Sequence, residues 1–226
     1  YPEKVVYDTP YLEPILKNEL AEYDNIEVIF QDILEANLPE LFADRFEPTD
    51  RIVVAANLPY YITTPIIMNF IEANLPVDAY VMMMQKEVAE RMTASPGSKN
   101  YGSLTVAIDY YTEAEISFIV PRTVFVPQPN VDSAVLKLKR REVPKVTVEN
   151  EAFYFRLTRG SFQHRRKTLW NNLMGIYGKT DEAKEALRLG LEAVGIEGSR
   201  RAETLAIEEF AALANEFYQS DVLRKS

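Results

Sequence analysis

Two kinds of hydrophobic pattern divide the chain. Up to residue 140, short apolar runs alternate with helical spacing, which predicts strands at 26–29, 52–54, 79–84, 115–120 and 133–140 and helices at 65–72, 85–94 and 103–111. Beyond residue 150 the pattern is helical throughout, with helices predicted at 153–162, 165–174, 181–194 and 207–218. The chain is therefore predicted to form an α/β domain at 1–143 and a small all-α domain at 144–226, joined by a polar connection that contains Pro144.

One loop of the α/β domain carries residues suited to binding a nucleobase. The sequence Asn-Leu-Pro-Tyr at 57–60 follows a buried strand and precedes a Thr-Thr-Pro helix start that ends at Pro65. Such a strand-to-helix loop lies at the carboxyl end of an open sheet, where ligands bind. The Asn57 amide oxygen and the Leu58 carbonyl can accept hydrogen bonds from an exocyclic amine, and the Tyr60 ring can stack on a planar base.

The composition limits the classes of protein that remain. A chain of 226 residues with 47% hydrophobic content can bury one substantial core and a smaller satellite core. No apolar run approaches membrane-spanning length, and the first residues do not resemble a signal peptide. With no cysteine and a single histidine, we expect neither disulfides nor a zinc centre. These features predict a cytoplasmic protein without a metal.

The net charge of -9 conceals a local excess of basic residues. The segment from Lys137 to Lys167 carries a net charge of +7, whereas the remaining residues carry -16. A basic block on an acidic body is typical of a localised surface that contacts phosphates. Taken alone, the same block is as consistent with a solvated charged face, so both interpretations stay open at this point.

Four further blocks accompany the Asn-Leu-Pro-Tyr loop in a fixed order. They are Gln-Lys-Glu-Val-Ala-Glu-Arg at 85–91, Tyr-Gly-Ser-Leu at 101–104, Val-Phe-Val-Pro-Gln-Pro-Asn-Val-Asp-Ser-Ala at 124–134 and Arg-Arg-Lys-Thr-Leu at 165–169. In this order and at this spacing the blocks resemble the bacterial KsgA-type ribosomal RNA adenine dimethyltransferases. The resemblance covers the chain from about Ile26 to Tyr218.

The resemblance implies a Rossmann-like, S-adenosylmethionine-dependent methyltransferase domain followed by a helical RNA-binding domain. In the family a glycine-rich turn holds the cofactor, and this chain begins after that turn, so we expect an N-terminally incomplete domain. Asp32, beside Ile33, is expected to bind the adenine amino group of the cofactor, with a simple turn cap as the alternative. Asp8 lies roughly where the family's ribose-binding acid falls, and a surface turn explains it equally well.

The resemblance also assigns roles around the target base. Asn57, Leu58, Pro59 and Tyr60 would form the catalytic loop, and Asn57 would lie against the cofactor as well. Phe125 is expected to cover the second face of the target adenine, opposite Tyr60. Three prolines stiffen the loop that carries Phe125, although a core position is the alternative for an aromatic residue there.

The implied partner is 16S ribosomal RNA within the small (30S) ribosomal subunit, bound by a monomer. The expected phosphate contacts are Arg140, Arg141, Arg165, Arg166 and Lys167. The implied reaction is dimethylation of N6 on two adjacent adenosines near the 3′ end of that RNA, coupled to assembly of the subunit. Two alternatives stay open: a 23S ribosomal RNA methylase that confers antibiotic resistance, and a non-catalytic RNA-binding assembly factor, which the absence of the glycine-rich turn would favour.

Overall fold

The computed structural model describes residues 3–7, as backbone alone, and residues 13–225. The chain divides into two compact units. One contains the residues up to Ile52 together with Leu58–Val77, and the other contains Val53–Asn57 together with the residues from Asp78 onward. The domain boundary predicted at residue 144 falls inside the second unit, and the assignment of 1–143 and 144–226 to separate domains stays a prediction.

The first unit contains a pair of parallel strands and three helices among its described residues. Their bounds are β1 (Glu3–Tyr7), α1 (Glu13–Glu19), β2 (Ile26–Phe30), α2 (Leu38–Ala43) and α3 (Thr63–Glu72). Helix α3 carries Pro65 in its first turn, as predicted, and buries Ile66, Ile67, Phe70 and Ile71 on one face. It ends just before Asn74, whose positive φ of 51° is a conformation that asparagine tolerates better than most residues and that stops a helix.

The second unit is built on a mixed four-stranded sheet. Its strands are β3 (Val53–Asn57), β4 (Ala79–Gln85), β5 (Thr112–Val120) and β6 (Ser133–Arg140), in the order β3-β4-β6-β5. Strands β3 and β4 are parallel, whereas β6 is antiparallel to both of its neighbours. Strand β4 follows the expected alternation, since Tyr80, Met82 and Met84 are fully buried while the residues between them are partly exposed.

Seven helices of the second unit lie within the described residues. Their bounds are α4 (Lys86–Met92), α5 (Ser103–Tyr111), α6 (Glu151–Ser161), α7 (Leu169–Tyr177), α8 (Asp181–Ala193), α9 (Ile207–Gln219) and α10 (Asp221–Arg224). Four of them begin after a side chain that accepts a hydrogen bond from the first turn: Asn150, Thr168, Thr180 and Ser220. The prediction of a helix from residue 165 was wrong, because Thr168 caps α7 and leaves Arg165, Arg166 and Lys167 in the preceding turn.

The polar connection at 142–150 is bound along helix α9. Asn215 accepts a hydrogen bond from the Glu149 amide at 2.9 Å and donates one to the Thr147 carbonyl at 3.0 Å. Gln219 donates to the Glu149 carboxylate at 2.6 Å. At the other end of the connection, Lys145 pairs with Asp109 of α5 at 2.6 Å. The segment is therefore held in an ordered position along its length.

Among the described residues, no helix combines the length and the apolar character that crossing a membrane requires.

The start of helix α9 depends on an ionised glutamate. The Glu209 carboxylate accepts hydrogen bonds from Arg200 and, at 2.8 Å, from the Ala206 amide. The Arg200 guanidinium is the main cause that lowers the pKa of Glu209, partial burial opposes it, and the Ala206 amide lowers the pKa further. A carboxyl group whose pKa is lower in the folded state stabilises the fold above its unfolded pKa, and that contribution disappears as the pH falls through the folded pKa.

We therefore expect Glu209→Gln to lower the free energy of unfolding near neutral pH by up to about 1 kcal/mol, because the pair is partly solvated. The difference from the natural chain should shrink as the pH falls below the ordinary glutamate pKa of about 4.3 and through the lower pKa of the folded protein, where the carboxylate takes up a proton. Urea unfolding at pH 7 and pH 3.5 would measure both values. Glu216→Gln, at an exposed position of the same helix, is the matched control. An equal loss of stability at both pH values would contradict the prediction.

Candidate functional site

Asn57 is the last residue of β3, whereas the sequence predicted it as the first residue of the loop at 57–60. It pairs with Met83 in the ladder to β4, so its backbone is fixed by the sheet while its side chain is exposed. Among the described residues the Asn57 side-chain amide makes no hydrogen bond. An exposed amide at the carboxyl end of a strand is positioned to meet a ligand rather than to satisfy a neighbour.

The segment from Leu58 to Ile62 leads into α3 as a closed turn. The Pro59 carbonyl accepts hydrogen bonds from the Ile62 amide at 3.3 Å and from the Thr63 hydroxyl at 2.9 Å. Leu58 is buried and Tyr60 is half-buried, while the next residue, Tyr61, is 81% exposed. Within the described part of the chain, the Leu58 carbonyl receives no hydrogen bond. The turn therefore leaves one backbone acceptor available directly after Asn57.

Asp32 follows β2 and holds the turn that comes after that strand. Its Oδ1 atom accepts a hydrogen bond from the Leu34 amide at 2.8 Å, and its carbonyl accepts from the amides of Glu35 and Ala36 at 3.1 and 3.0 Å. The capping interpretation is therefore confirmed for Oδ1. No described residue donates to Oδ2. One carboxylate oxygen thus remains for a ligand, so the capping role does not compete with the predicted cofactor contact.

Asn69 of α3 is a positioning residue that sequence reasoning missed. Its amide nitrogen donates to the Ile33 carbonyl at 3.2 Å, which ties α3 to the turn that carries Asp32. The available signal was a polar residue between Met68 and the buried Phe70 on an otherwise apolar helix. Asp8, the predicted ribose-binding acid, lies outside the described residues.

The loop between β5 and β6 is closed by polar contacts as well as by prolines. Asp132 accepts a hydrogen bond from the Arg122 amide at 3.0 Å through its side chain and one from the Lys86 amide at 3.0 Å through its carbonyl. Arg122 also donates to the Asn130 carbonyl at 3.1 Å. Phe125 follows the 3₁₀ helix Arg122–Val124 and is half-buried. The loop therefore presents part of the Phe125 ring to solvent from a fixed frame.

Within the sheet of the second unit, Asn57 and the loop that carries Phe125 lie at the same end of the strands. Strand β4 ends at Gln85, which pairs with Ser133 at the start of β6, and β6 lies two strands from β3. Two strand spacings place the ends of β3 and β6 about 10 Å apart. Tyr60 belongs to the first unit, so its pairing with Phe125 around one base stays a prediction.

The structure separates the predicted phosphate contacts into two groups. Arg141 forms ion pairs with Asp109 and Glu113 at 3.3 and 3.1 Å. Arg140 bonds Tyr80, whose pKa is raised by burial and partly lowered again by that guanidinium. Arg165 donates to two backbone carbonyls and to Glu203. Arg166 and Lys167, by contrast, are exposed and form no ion pair with any described residue. The net charge of the basic block therefore overstates the charge available to a phosphate.

Comparison with known proteins gives this arrangement a context. The family model described as "Ribosomal RNA adenine dimethylase" matches residues 6–219. The protein named "Ribosomal RNA small subunit methyltransferase A" from Streptococcus pneumoniae (strain P1031) is 53% identical over 204 residues, which are 90% of this chain and 70% of the relative. The protein of the same name from Enterococcus faecalis (strain ATCC 700802 / V583) is 55% identical, over 90% of this chain and 69% of its own.

Two solved structures share the fold. A dimethyladenosine transferase from Plasmodium falciparum superposes with a TM-score of 0.77 at 26% identity and covers 96% of this chain and 82% of its own. The 23S rRNA methyltransferase ErmE superposes with a TM-score of 0.67 at 24% identity, over 95% of this chain and 81% of its own. The second likeness is evidence of fold alone. The predicted Rossmann-like α/β fold is confirmed.

Proposed function

The chain belongs to the ribosomal RNA adenine dimethylase family, and from this we propose that it dimethylates N6 of two adjacent adenosines near the 3′ end of 16S ribosomal RNA. The proposal includes action on the small ribosomal subunit during its assembly, by a monomer in the cytoplasm. The relatives that are more than 50% identical carry a small-subunit name, whereas the relative named for 23S RNA is 24% identical. This difference favours the small subunit over the antibiotic-resistance alternative.

One observation carries the catalytic part of the proposal. Asn57 Oδ1 and the Leu58 carbonyl are consecutive acceptors without a partner among the described residues. Adenine N6 is a poor nucleophile because its lone pair is delocalised into the ring. If the two acceptors each accept a hydrogen bond from one N6 hydrogen, they favour a pyramidal nitrogen and direct its lone pair toward the methyl donor. Alignment then provides most of the acceleration, and the methylated ammonium group releases its proton to water without a dedicated base.

S-adenosylmethionine, when bound, supplies an electrophilic methyl group on a sulfonium sulfur. The chain offers a group that fits the adenine end of this cofactor. Asp32 Oδ2 is an acceptor without a described partner, held in place because Oδ1 binds the Leu34 amide. The adenine amino group is a donor that complements it. Asn57 and Ile33 are the other residues that we propose to border the cofactor.

A target adenosine in a duplex must leave the stack before N6 can be reached. The proposed sandwich between Tyr60 and Phe125 would offset part of the cost of unstacking, at about 1 to 3 kcal/mol per stacked base. Both rings are half-buried, which leaves surface on each for a ligand. Arg166 and Lys167 are the best candidates for phosphate contacts, because they are exposed and unpaired among the described residues.

The function is tested by methyl transfer from labelled S-adenosylmethionine to two substrates: undermethylated 30S particles and protein-free 23S RNA. We expect two methyl groups on each of two adjacent adenosines in the 30S particle. Activity on 23S RNA alone would overturn the choice of substrate. Calorimetry with S-adenosylmethionine addresses the non-catalytic alternative: RNA binding without any binding of the cofactor would favour an assembly factor.

Asp32→Asn separates the two roles of that residue. The asparagine retains an oxygen that can cap the turn but replaces the second acceptor with an amide donor, which cannot accept from the cofactor's amino group. We expect affinity for S-adenosylmethionine to fall about tenfold or more, with an unchanged thermal midpoint. Isothermal titration would measure the affinity. Asp24→Asn, at an exposed position of the same unit, is the control, and unchanged cofactor affinity in Asp32→Asn would refute the assignment.

A further inference from the structure

The Arg165 guanidinium joins its own turn to the loop that contains Lys99 and Tyr101 and to the 3₁₀ helix Ala202–Thr204. Its Nη2 atom donates to the Lys99 carbonyl at 2.6 Å, to the Tyr101 carbonyl at 3.2 Å and to the Glu203 carboxylate at 3.4 Å. The acceptors lie 66, 64 and 38 residues from Arg165 along the chain. A guanidinium suits this task because its terminal nitrogen lies at the end of a long side chain and the group always stays protonated.

The loop that contains Lys99 is held from more than one side. The Gly97 amide donates to the Glu203 carbonyl at 2.7 Å. The Tyr101 ring is buried and lies edge-on to Phe162 at 5.9 Å, at the end of α6. Arg165 supplies the remaining fixation, since it binds the carbonyls on both sides of residue 100. Removal of its side chain would leave these two carbonyls without the side-chain donor that binds them.

Three exposed cations surround this junction. Lys99, Arg166 and Lys167 are exposed and form no ion pair with other residues of the described ranges. The Lys99 carbonyl accepts a hydrogen bond from the Arg165 side chain at 2.6 Å, so the Lys99 backbone lies within reach of one arginine side chain from the residue next to Arg166. Long flexible side chains at that separation can neutralise neighbouring phosphates of one RNA strand.

We propose that Lys99, Arg166 and Lys167 form one phosphate-binding cluster and that Arg165 is the positioning residue that holds its two halves together. This inference rests on the proposed function and assigns Arg165 a different role from its neighbour Arg166, although the two are adjacent and chemically identical. Lys99 is the new contact, brought beside the Arg-Lys pair only by the fold. Arg165 acts through the backbone at Lys99 and Tyr101, not through its own charge.

Lysine and methionine substitutions at the two arginines distinguish these roles. A phosphate contact depends chiefly on charge, so Arg166→Lys should bind 30S particles nearly as tightly as the natural chain. Arg166→Met and Lys99→Met should each reduce the slope of log affinity against log salt by about 0.7 to 0.9, the value for one phosphate contact. At position 165 lysine keeps the charge, but its ammonium nitrogen lies one bond closer to the backbone than Nη2, so it falls short of the three acceptors that Nη2 contacts. Arg165→Lys and Arg165→Met should therefore weaken binding alike, by about tenfold.

Amide hydrogen exchange provides a readout that is independent of RNA. The Gly97 amide should exchange faster in both Arg165 variants and at the natural rate in Arg166→Met, because Arg165, unlike Arg166, binds this loop. Thermal midpoints within a few degrees of the natural chain would verify folding. Recovery of full affinity by Arg165→Lys would overturn the positioning role, and an unchanged salt slope in Lys99→Met would remove Lys99 from the cluster. If the natural chain itself fails to bind 30S particles, the proposed function fails, not this inference alone.

Discussion

Replacement of Asn57 by alanine is expected to slow methyl transfer by about 10²- to 10³-fold, the range observed when one preorganised polar contact to a reacting group is removed. The side chain is exposed at the end of β3 and has no described partner, so its loss should disturb neither the sheet nor RNA affinity. Single-turnover rates at saturating S-adenosylmethionine would measure the effect, with filter binding for RNA affinity.

Asn57→Asp is the informative companion to the alanine variant. A carboxylate retains an acceptor at the same position, so we expect it to transfer methyl groups faster than Asn57→Ala. Asn25→Ala, at an exposed position of the first unit, is a control for loss of an asparagine elsewhere. A large loss of RNA affinity in Asn57→Ala, or a transfer rate like that of the natural chain, would contradict the proposed grip on N6.

Removal of either aromatic ring, Tyr60 or Phe125, should weaken productive binding by about 5- to 150-fold, the range that corresponds to one stacked base. The variants are Tyr60→Ala and Phe125→Ala, compared by kcat/KM on 30S particles. If both rings contact one adenine, the losses in kcat/KM should not multiply in the double variant, because removal of one ring changes how much the other ring stabilises the bound base. Independent, multiplicative losses would argue that the two rings contact different groups.

The chain supplies a matched control for each of the two rings, Tyr60 and Phe125. Tyr61 follows Tyr60 and is 81% exposed, and Val126 follows Phe125 and is 98% exposed. Alanine at either position removes a neighbouring exposed side chain without touching the proposed sandwich. We expect changes of less than about threefold in kcat/KM for both, since isolated surface substitutions have small effects. Losses as large as those of Tyr60→Ala would indicate a general disturbance of the loops.

The sequence pattern predicted the bounds of an element correctly where neighbouring residues alone determine those bounds. Helix α5 and strand β6 have the predicted bounds, because alternation and helical spacing are properties of neighbouring residues. The family was also recognisable from ordered blocks of sequence. Helix α7 was predicted to begin four residues too early, since the apolar periodicity says little about the cap at Thr168. Strand β5 begins three residues earlier than predicted, because Thr112, Glu113 and Ala114 pair with distant residues of β6.

The basic residues show that a local sequence pattern does not reveal contacts between residues far apart in the chain. The count of charges between Lys137 and Lys167 treated each cation as available to a partner. In the fold, Lys145 meets Asp109 across 36 positions and Arg165 meets Lys99 across 66. Such pairs depend on how elements assemble, so periodicity cannot reveal them. Asp32 shows the reverse case: both of the interpretations derived from sequence can hold together, because a carboxylate has two oxygens.

One hydrophobic cluster extends from Tyr101, just before helix α5, to helix α10 across the polar connection. It joins Tyr101, Val106 and Tyr110 with buried residues of the helical region such as Tyr154 and Phe210. An excised fragment that begins at residue 144 would lack three of these core side chains and expose the apolar surface that they cover. We therefore expect such a fragment to aggregate or to require detergent, whereas a fragment that begins ahead of Tyr101 would retain these partners.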